Sequence, residues 1–207
     1  ERVGEVVFNT SITGYQEMFS DPSYTGQIVV LTNPQIGNYG TNENDPQGAH
    51  PYIEGLVVRD FTPRASNWRS SLSAEDYLAQ CGIPIASEID TRTLVRHLRS
   101  GGVLRGALST VPQSADALID KARNAPSMTG RDLANVVSTK SIYEWTESVP
   151  RVSSSELLGE TLEPRHHVIA YDFGVKLSIL RRLRQYGSRV TVVPASTTAE
   201  QTLALKP

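Results

Sequence analysis

The sequence predicts an α/β protein made of two parts. Apolar runs of strand length alternate with amphipathic segments of helical period, and loops rich in Gly and Pro separate them. The composition, with 39% hydrophobic and 20% charged residues, is that of an ordinary globular protein. Over residues 143–165 it shifts to Ser, Glu, Pro and Thr, which is typical of a connection. We therefore expect one domain at 1–142, a linker at 143–165 with the boundary near Pro164, and a second domain at 166–207.

The first part opens with two predicted strands, at residues 4–9 and 27–32, each followed by a polar loop containing Gly. Between them, Gly14, Pro22 and Gly26 interrupt a segment that we interpret as too irregular for a helix. Its large apolar side chains indicate that it packs against a core; they are Tyr15, Met18, Phe19 and Tyr24.

The remainder of the first part alternates predicted strands with capped helices. Ser73, Asp90 and Ser114 each precede a helical pattern and can accept hydrogen bonds from its first N–H groups. The apolar side chains of the second of these helices, which Asp90 begins, recur at helical spacing and predict a buried stripe. That stripe consists of Leu94, Val95 and Leu98. Strands are predicted at 52–60 and 103–110, a short apolar run at 83–87, and helices at 73–81, 90–101, 114–122 and 130–137.

The second part has the pattern of a βαβ unit, which implies parallel strands. An apolar strand at 167–172 leads into a tight turn at Phe173-Gly174, and an amphipathic helix follows at 175–186. Gly187 ends this helix, and a second strand is predicted at 189–193.

Charge and hydropathy favour neither nucleic acid nor a membrane as a partner. The net charge is −2 and the isoelectric point is near 6.1, so there is no basic footprint for a polyanion on the scale of the whole chain. The apolar runs are much shorter than the ~20 residues of a membrane-spanning helix. A single cysteine permits no internal disulfide, which agrees with a reducing compartment. We expect a cytoplasmic protein.

Several strings carry a specific resemblance. GEVVFNTSITGYQE at 4–17, DPSY at 21–24 and NPQIGNYGTN at 33–42 resemble the amino-terminal domain of the small, glutamine-hydrolysing subunit of carbamoyl-phosphate synthetase. The resemblance covers nearly the whole chain, because it continues through GLVVRD at 55–60, ASNWR at 65–69, DTRxLxRxLR at 90–99 and YDFGVK at 171–176.

The resemblance implies both a fold and an activity. Residues 1–142 would form a β/β/α-layered domain of the swivelling type without its first strands, and 166–207 would begin a flavodoxin-like class I glutamine amidotransferase domain. The small subunit would hydrolyse L-glutamine to glutamate and ammonia through a cysteine thioester. Ammonia would pass to a large subunit that uses ATP and Mg to make carbamoyl phosphate for arginine and pyrimidine synthesis. The small subunit itself would hold no nucleotide or metal.

The catalytic Cys, His and Glu of the family are expected beyond Pro207, so the chain alone is predicted to be inactive. Cys81 follows a short helix whose free carbonyl groups disfavour a thiolate, and we interpret it as a buried structural thiol. The histidines have no second ligand at a metal spacing, so surface or core roles are expected for all four. They are His50, His97, His166 and His167.

Ser23 is the candidate ligand-binding residue. By resemblance, the serine of DPSY contacts bound glutamine from the amino-terminal domain. From the residues alone, a hydroxyl on an Asp-Pro turn is a rigidly held donor and acceptor, but hydrogen bonding within its own turn is the favoured interpretation. The resemblance reverses that preference.

Three further patterns have ordinary interpretations. Residues 33–40 lack a phosphate-loop motif and no helix follows them, so we expect a shaped interface loop. Asp172-Phe173-Gly174 matches a kinase tripeptide, but the other kinase motifs are missing and a turn is expected. The row of Arg92, Arg96 and Arg99 would face either a partner or solvent.

Two other functional classes can be weighed against the glutaminase. The amino-terminal domain could be a non-catalytic assembly module that docks a glutaminase onto its synthetase partner, and it could do both. A dinucleotide-binding fold beginning at His167 is disfavoured, because residues 172–176 lack the glycine spacing that lets a backbone approach pyrophosphate.

Overall fold

The structure, a computed structural model, describes residues 1–150 and 161–207. These residues form two compact units, Glu1–Arg131 and Asp132–Pro207, and both contain helices and a mixed sheet. The predicted α/β class is therefore confirmed. The division falls earlier in the chain than the expected linker at 143–165, because Tyr143–Trp145 forms a strand of the second unit. Residues 151–160 of that expected linker lie outside the described residues.

The first unit is built on a five-stranded sheet with the order β4-β3-β2-β1-β5. Strands β1 to β4 run parallel, and β5 runs antiparallel to β1. The register pairs Asn9 with Leu31 and Leu31 with Val58, so the carboxyl ends of β1, β2 and β3 meet at one edge. The strands are β1 (Arg2–Asn9), β2 (Gln27–Leu31), β3 (Gly55–Val58), β4 (Ile85–Ala86) and β5 (Leu104–Leu108).

Helices cover both faces of this sheet, so side chains of both parities along β2 and β3 are buried. On one face Phe19 and Leu78 pack with Val29, and on the other Val95 packs with Ile28. The predicted stripe is confirmed for Val95 and Leu98, while Leu94 is partly buried beside them. The helices of this unit are α1 (Tyr15–Phe19), α2 (Ala74–Gln80), α3 (Thr91–Gly101) and α4 (Ala115–Asn124), with a 3-10 turn at Pro22–Tyr24.

The side chains predicted to cap helices do so. Ser73 accepts a hydrogen bond from the N–H of Asp76, and Asp90 accepts one from the N–H of Thr93. Ser114 accepts the corresponding bond from Ala117. Helix α1, however, lies in the segment that we expected to be too irregular for a helix. Gly14 at its start has φ +86° and provides no side-chain cap, so the short helix depends on the burial of Tyr15 and Phe19, one turn apart.

Cys81 is exposed, so the expectation of a buried thiol is wrong. Helix α2 ends in a Schellman motif, in which the N–H of Gly82 bonds to the carbonyl of Ala79 and the N–H of Ile83 bonds to that of Leu78. Gly82, with φ +65°, turns the chain back, and Ile83 occupies the core beside Leu78. Cys81 is left at the outer side of that turn.

The second unit contains a three-stranded sheet with the order β6-β8-β7. Strands β7 and β8 are parallel and α6 lies between them in the chain, which confirms the predicted βαβ unit. Leu180 of α6 is fully buried against Val190 and Val192. The strands are β6 (Tyr143–Trp145), β7 (His166–Asp172) and β8 (Ser188–Pro194), and the helices are α5 (Leu133–Val137), α6 (Leu177–Gln185) and α7 (Ala199–Ala204). No helix in the described ranges combines the length and apolar character that crossing a membrane requires.

Candidate functional site

Ser23 lies in the middle of the 3-10 turn that connects α1 to β2. Asp21 precedes the turn and its Oδ1 accepts the N–H of Ser23 at 2.9 Å, while Pro22 fixes the backbone at the first position. The N–H of Tyr24 bonds to the carbonyl of Asp21, and the N–H and hydroxyl of Thr25 both bond to the carbonyl of Pro22. The backbone on each side of Ser23 is therefore held in one conformation.

The hydroxyl of Ser23 is exposed, although Asp21 and Pro22 beside it are buried. Among the described residues, this hydroxyl has no hydrogen-bond partner; only the backbone N–H of Ser23 is used by the turn. A hydroxyl that is fixed in place and free to donate and accept can bind an ammonium or a carboxylate group of a ligand. Hydrogen bonding of the side chain within its own turn, the interpretation that the residues alone favoured, does not occur in this conformation.

The turn is anchored to the sheet through its neighbours. The hydroxyl of Tyr24 accepts a hydrogen bond from Nδ2 of Asn9, the last residue of β1, at 3.0 Å. Phe19, which is fully buried, accepts the N–H of Tyr52 through its carbonyl at 2.7 Å. Movement of Ser23 relative to the sheet would therefore break contacts on both sides of it.

Helix α1 also holds the loop at 33–42. The rings of Tyr15 and Tyr39 stack with centroids 3.9 Å apart. The hydroxyl of Tyr39 accepts the N–H groups of Gly14 and Tyr15, at 2.8 and 2.9 Å. In return, the hydroxyl of Tyr15 donates to the carbonyl of Gly40 at 2.8 Å and accepts the N–H of Tyr39. Two of the strings that carry the resemblance, at 4–17 and 33–42, thus form one connected structure.

A second set of polar contacts extends this connection. The side-chain amide of Gln16 makes two bonds to the backbone of Asn42, one to its carbonyl at 2.6 Å and one from its N–H at 2.9 Å. Asn42 donates through Nδ2 to Asp45, which forms an ion pair with Arg69 at 2.5 Å. Gln16 is almost fully buried, and its amide is satisfied at both ends by this backbone.

Gly40 is required by the backbone of the loop. Its φ is +68°, and a Cβ at this position would lie 2.0 Å from Oγ of Ser70 and 2.8 Å from the carbonyl oxygen of Leu72. Both the left-handed conformation and the lack of space demand glycine. No helix follows the loop, as the sequence indicated, and its role as an interface stays a prediction. Pro34, Gln35 and Asn38 remain exposed.

Burial raises the pKa of three side chains in this region. It raises the pKa of Tyr15 and of Tyr39, so both hydroxyls stay protonated and can donate. It also raises the pKa of the Glu17 carboxyl, and the negative charge of Asp45 adds to this effect. Arg69 opposes the shift at Glu17.

The other candidates from the sequence lie apart from a reactive arrangement. His50, His97 and His166 are exposed, whereas His167 contacts Thr191 through its ring. Within residues 1–150 and 161–207, no group of three or more His, Cys, Asp or Glu side chains could hold a metal ion. Asp172 accepts the N–H groups of Gly174 and Val175 at 2.9 and 3.0 Å, so the Asp-Phe-Gly tripeptide is the turn that we predicted.

Sequence reasoning missed several residues that fix the geometry around Ser23. The Asp-Pro turn itself was predicted, because an Asp followed by Pro is a common start of a helical turn, but the role of Asp21 as acceptor of the Ser23 N–H was not. The pairing of Tyr15 with Tyr39 and of Gln16 with Asn42 leaves no local signal, since each pair joins residues about 25 positions apart.

The residues around Ser23 lie in the part of the chain that matches a known protein family. Residues 1–108 match the sequence model of a family described as "Carbamoyl-phosphate synthase small chain, CPSase domain". A curated relative named carbamoyl phosphate synthase small chain, from Syntrophotalea carbinolica, is 49% identical over 207 residues, which is 100% of this chain and 55% of the relative. Relatives with the same name from Synechocystis sp. and Thermosynechococcus vestitus are each 48% identical, over 99% of this chain and 54% of their own length. The chain thus spans about 55% of the curated relatives that it matches.

Proposed function

Because the chain belongs to the carbamoyl-phosphate synthase small chain family, we propose that it is the amino-terminal part of a glutamine-hydrolysing subunit. The whole subunit converts L-glutamine to glutamate and ammonia through a cysteine thioester. The nucleophile, its histidine and its glutamate lie beyond Pro207 in this proposal, and the 207 residues alone are inactive. Cys81 does not replace them, because its thiol lies at the carboxyl end of a helix, whose free carbonyl groups disfavour a thiolate.

The ammonia serves a partner. We infer that a large subunit, using ATP and Mg, takes it up and forms carbamoyl phosphate for arginine and pyrimidine synthesis. The two subunits form a cytoplasmic heterodimer, and the small subunit itself binds neither nucleotide nor metal for this reaction. The finer fold assignment belongs to the same proposal: a swivelling-type first domain and the start of a flavodoxin-like amidotransferase domain. Parallel pairing of β7 and β8 around α6 supports the second assignment.

The position of the Ser23 hydroxyl is the observation that supports a role in glutamine binding. This hydroxyl is exposed, the buried residues Asp21 and Pro22 hold it in place, and within the described part of the chain it is free to bond a ligand. A hydrogen bond from a neutral hydroxyl to the charged carboxylate or ammonium of glutamine would contribute about 1.5–3 kcal/mol. In the whole subunit Ser23 would contribute this bond from the amino-terminal domain.

The test is kinetic and uses the complete subunit with its large partner. Ser23→Ala should raise the KM for glutamine about tenfold or more, because 1.4 kcal/mol corresponds to a factor of ten. Affinity for the large subunit and ammonia-dependent synthesis should stay unchanged. Ser87→Ala, at an exposed serine whose side chain makes no hydrogen bond among the described residues, is the matched control. An unaltered KM for glutamine in Ser23→Ala would remove Ser23 from the binding site.

A second function, docking the glutaminase onto its partner, is favoured by exposed apolar side chains in the loops of the first unit. Ile12 is 81% exposed and Trp68 is 77% exposed, so each would remove apolar surface from water if a partner covered it. If the domain serves assembly alone, Trp68→Ser should weaken association with the large subunit while Ser23→Ala changes nothing. If it serves both, each variant should affect its own measurement.

A further inference from the structure

A cavity of about 490 Å³ opens at the carboxyl edge of the sheet in the first unit. Thr10, Thr32 and Arg59, the residues that directly follow β1, β2 and β3, line one side of it. Helix α3 lines the other side with Thr91 and a row of arginines. Ligands of open α/β sheets bind at this edge, because the loops after parallel strands converge there. The volume is within the range of small-molecule sites.

The lining of this cavity is strongly basic. Arg92, Arg96 and Arg99 line it from α3 and Arg59 faces them from the end of β3. In the part of the chain that the structure describes, none of the four forms an ion pair or donates a side-chain hydrogen bond. The nearby Asp90 carboxylate interacts electrostatically with Arg59, but the N–H and hydroxyl of Thr93 already bond to it. Among the described residues, Arg92, Arg96 and Arg99 therefore have no ion-pair partner, and Asp90 offsets the charge of Arg59 only in part.

Thr91 adds a hydroxyl to the lining of the cavity. Its side chain lines the cavity and the residue is only 3% exposed, yet within the described residues its hydroxyl has no hydrogen-bond partner. Its Oγ1 is not one of the fully enclosed side-chain atoms that lack a partner in the described part of the chain, so it is open to the cavity and can donate to a ligand there. An acceptor entering the cavity would supply the missing partner.

We propose that this cavity binds a small polyanion that carries at least two phosphate groups. Guanidinium groups suit phosphate oxygens because they offer parallel N–H donors in a fixed plane. Arg92, Arg96 and Arg99 lie at helical spacing on one side of α3 and span about 10 Å along it, given a rise of 1.5 Å per residue. An extended polyphosphate matches this span along the helix better than a single orthophosphate does.

The site is distinct from the glutamine contact proposed for Ser23. Ser23 is on the 3-10 turn before β2 and does not line the cavity. Its chemistry also differs, since four arginines attract an anion of high charge and glutamine carries no net charge. A binding measurement on the 207-residue chain therefore tests this proposal independently of glutamine hydrolysis.

The test is calorimetric titration of the 207-residue chain with inorganic tripolyphosphate at low ionic strength and without divalent cations. One site is expected, and orthophosphate should bind at least tenfold more weakly. Arg96→Gln should weaken tripolyphosphate binding about tenfold, and Thr91→Val, which keeps the shape without the hydroxyl, several-fold. Arg123→Gln removes the same charge from α4, outside the cavity, and should change the affinity less than twofold.

Three results would overturn the proposal. One is the absence of a saturable site for tripolyphosphate. Another is an equal loss of affinity in Arg96→Gln and Arg123→Gln, which would indicate attraction to net charge alone. The third is tighter binding of a glutamate-rich peptide than of tripolyphosphate, with the same dependence on Arg96, which would identify the surface as a protein-docking site.

Discussion

The side chains of Tyr15 and Tyr39 hold each other in place through ring stacking and hydrogen bonds. Their rings stack at 3.9 Å with an angle of 17°, and each hydroxyl bonds to backbone groups at or next to the other tyrosine. Tyr15 is 1% exposed, so this contact belongs to the core and not to the surface. It makes the position of the loop at 33–42 dependent on α1, and α1 leads directly into the turn of Ser23.

Removing the hydroxyl of Tyr15 should therefore destabilise the first unit. Tyr15→Phe leaves the carbonyl of Gly40 and the N–H of Tyr39 without their partner, and a loss of about 1–3 kcal/mol in the free energy of unfolding is expected. Urea denaturation followed by circular dichroism measures it. Tyr77→Phe deletes the same atom where no hydrogen bond is made among the described residues, and should change stability by less than about 0.5 kcal/mol. Equal effects would contradict this interpretation.

Asp21 is a positioning residue for Ser23. Asp21→Ala removes the acceptor of the Ser23 N–H, so the turn loosens, and the KM for glutamine of the complete subunit should rise several-fold with little change in kcat. Asp21→Asn retains an acceptor oxygen and should restore most of the affinity. Failure of asparagine to do better than alanine would mean that the carboxylate charge, and not the turn, is what matters.

Gly40→Ala should be strongly destabilising, because the new methyl group meets Ser70 and the backbone of Leu72 in addition to the strain of a positive φ. Gly130→Ala is the matched control: φ there is +82° and the space around it is open, so only the conformational cost of about 1–2 kcal/mol applies. The excess loss in Gly40→Ala over Gly130→Ala, measured by urea denaturation, reports the steric part. Similar losses would show that the loop relaxes around the methyl group.

Glu17→Gln should stabilise the protein at neutral pH. Burial raises the pKa of Glu17 in the folded state above its ordinary value of 4.5, so ionisation of this carboxyl opposes folding. The penalty is absent below 4.5, where the group is protonated in both states, and is complete once the pH exceeds the folded pKa. The difference in unfolding free energy between variant and wild type should therefore grow as the pH rises from 4 to 8. A difference independent of pH would rule out ionisation as its cause.

Local sequence information was enough for the strands and helices with strong local signals. Strands β2 and β3 were predicted from continuous runs of apolar residues, and three helix starts were predicted from the capping side chains Ser73, Asp90 and Ser114. Each of these signals involves residues only a few positions apart in the sequence, and the structure confirms them. The βαβ unit was predictable for the same reason, since alternation of an apolar strand and an amphipathic helix is visible in the chain.

The features that escaped prediction depend on distant residues. Helix α1 has too few residues and too weak a start to be recognised, and it forms because Tyr15 and Phe19 are buried by other segments. Cys81 is exposed because the chain turns at Gly82, and the side chain of Ile83 packs in the core instead. The basic cavity is lined by α3 and by the residues that follow three strands of the sheet. Because this arrangement depends on residues far apart in the sequence, the row of arginines alone could not distinguish a partner-facing surface from a solvated one.

The position of β1 between β2 and β5 has a consequence for synthesis on the ribosome. Strand β2 is complete at Leu31, but the other edge of β1 has no partner until Leu108 has been made. At 5–20 residues per second, that edge stays open for about 4 to 15 s in every nascent chain. An unpaired strand can recruit neighbouring chains, and a charge within it opposes such pairing. Glu5, whose antiparallel partner in the finished sheet is Arg105, places such a charge in β1.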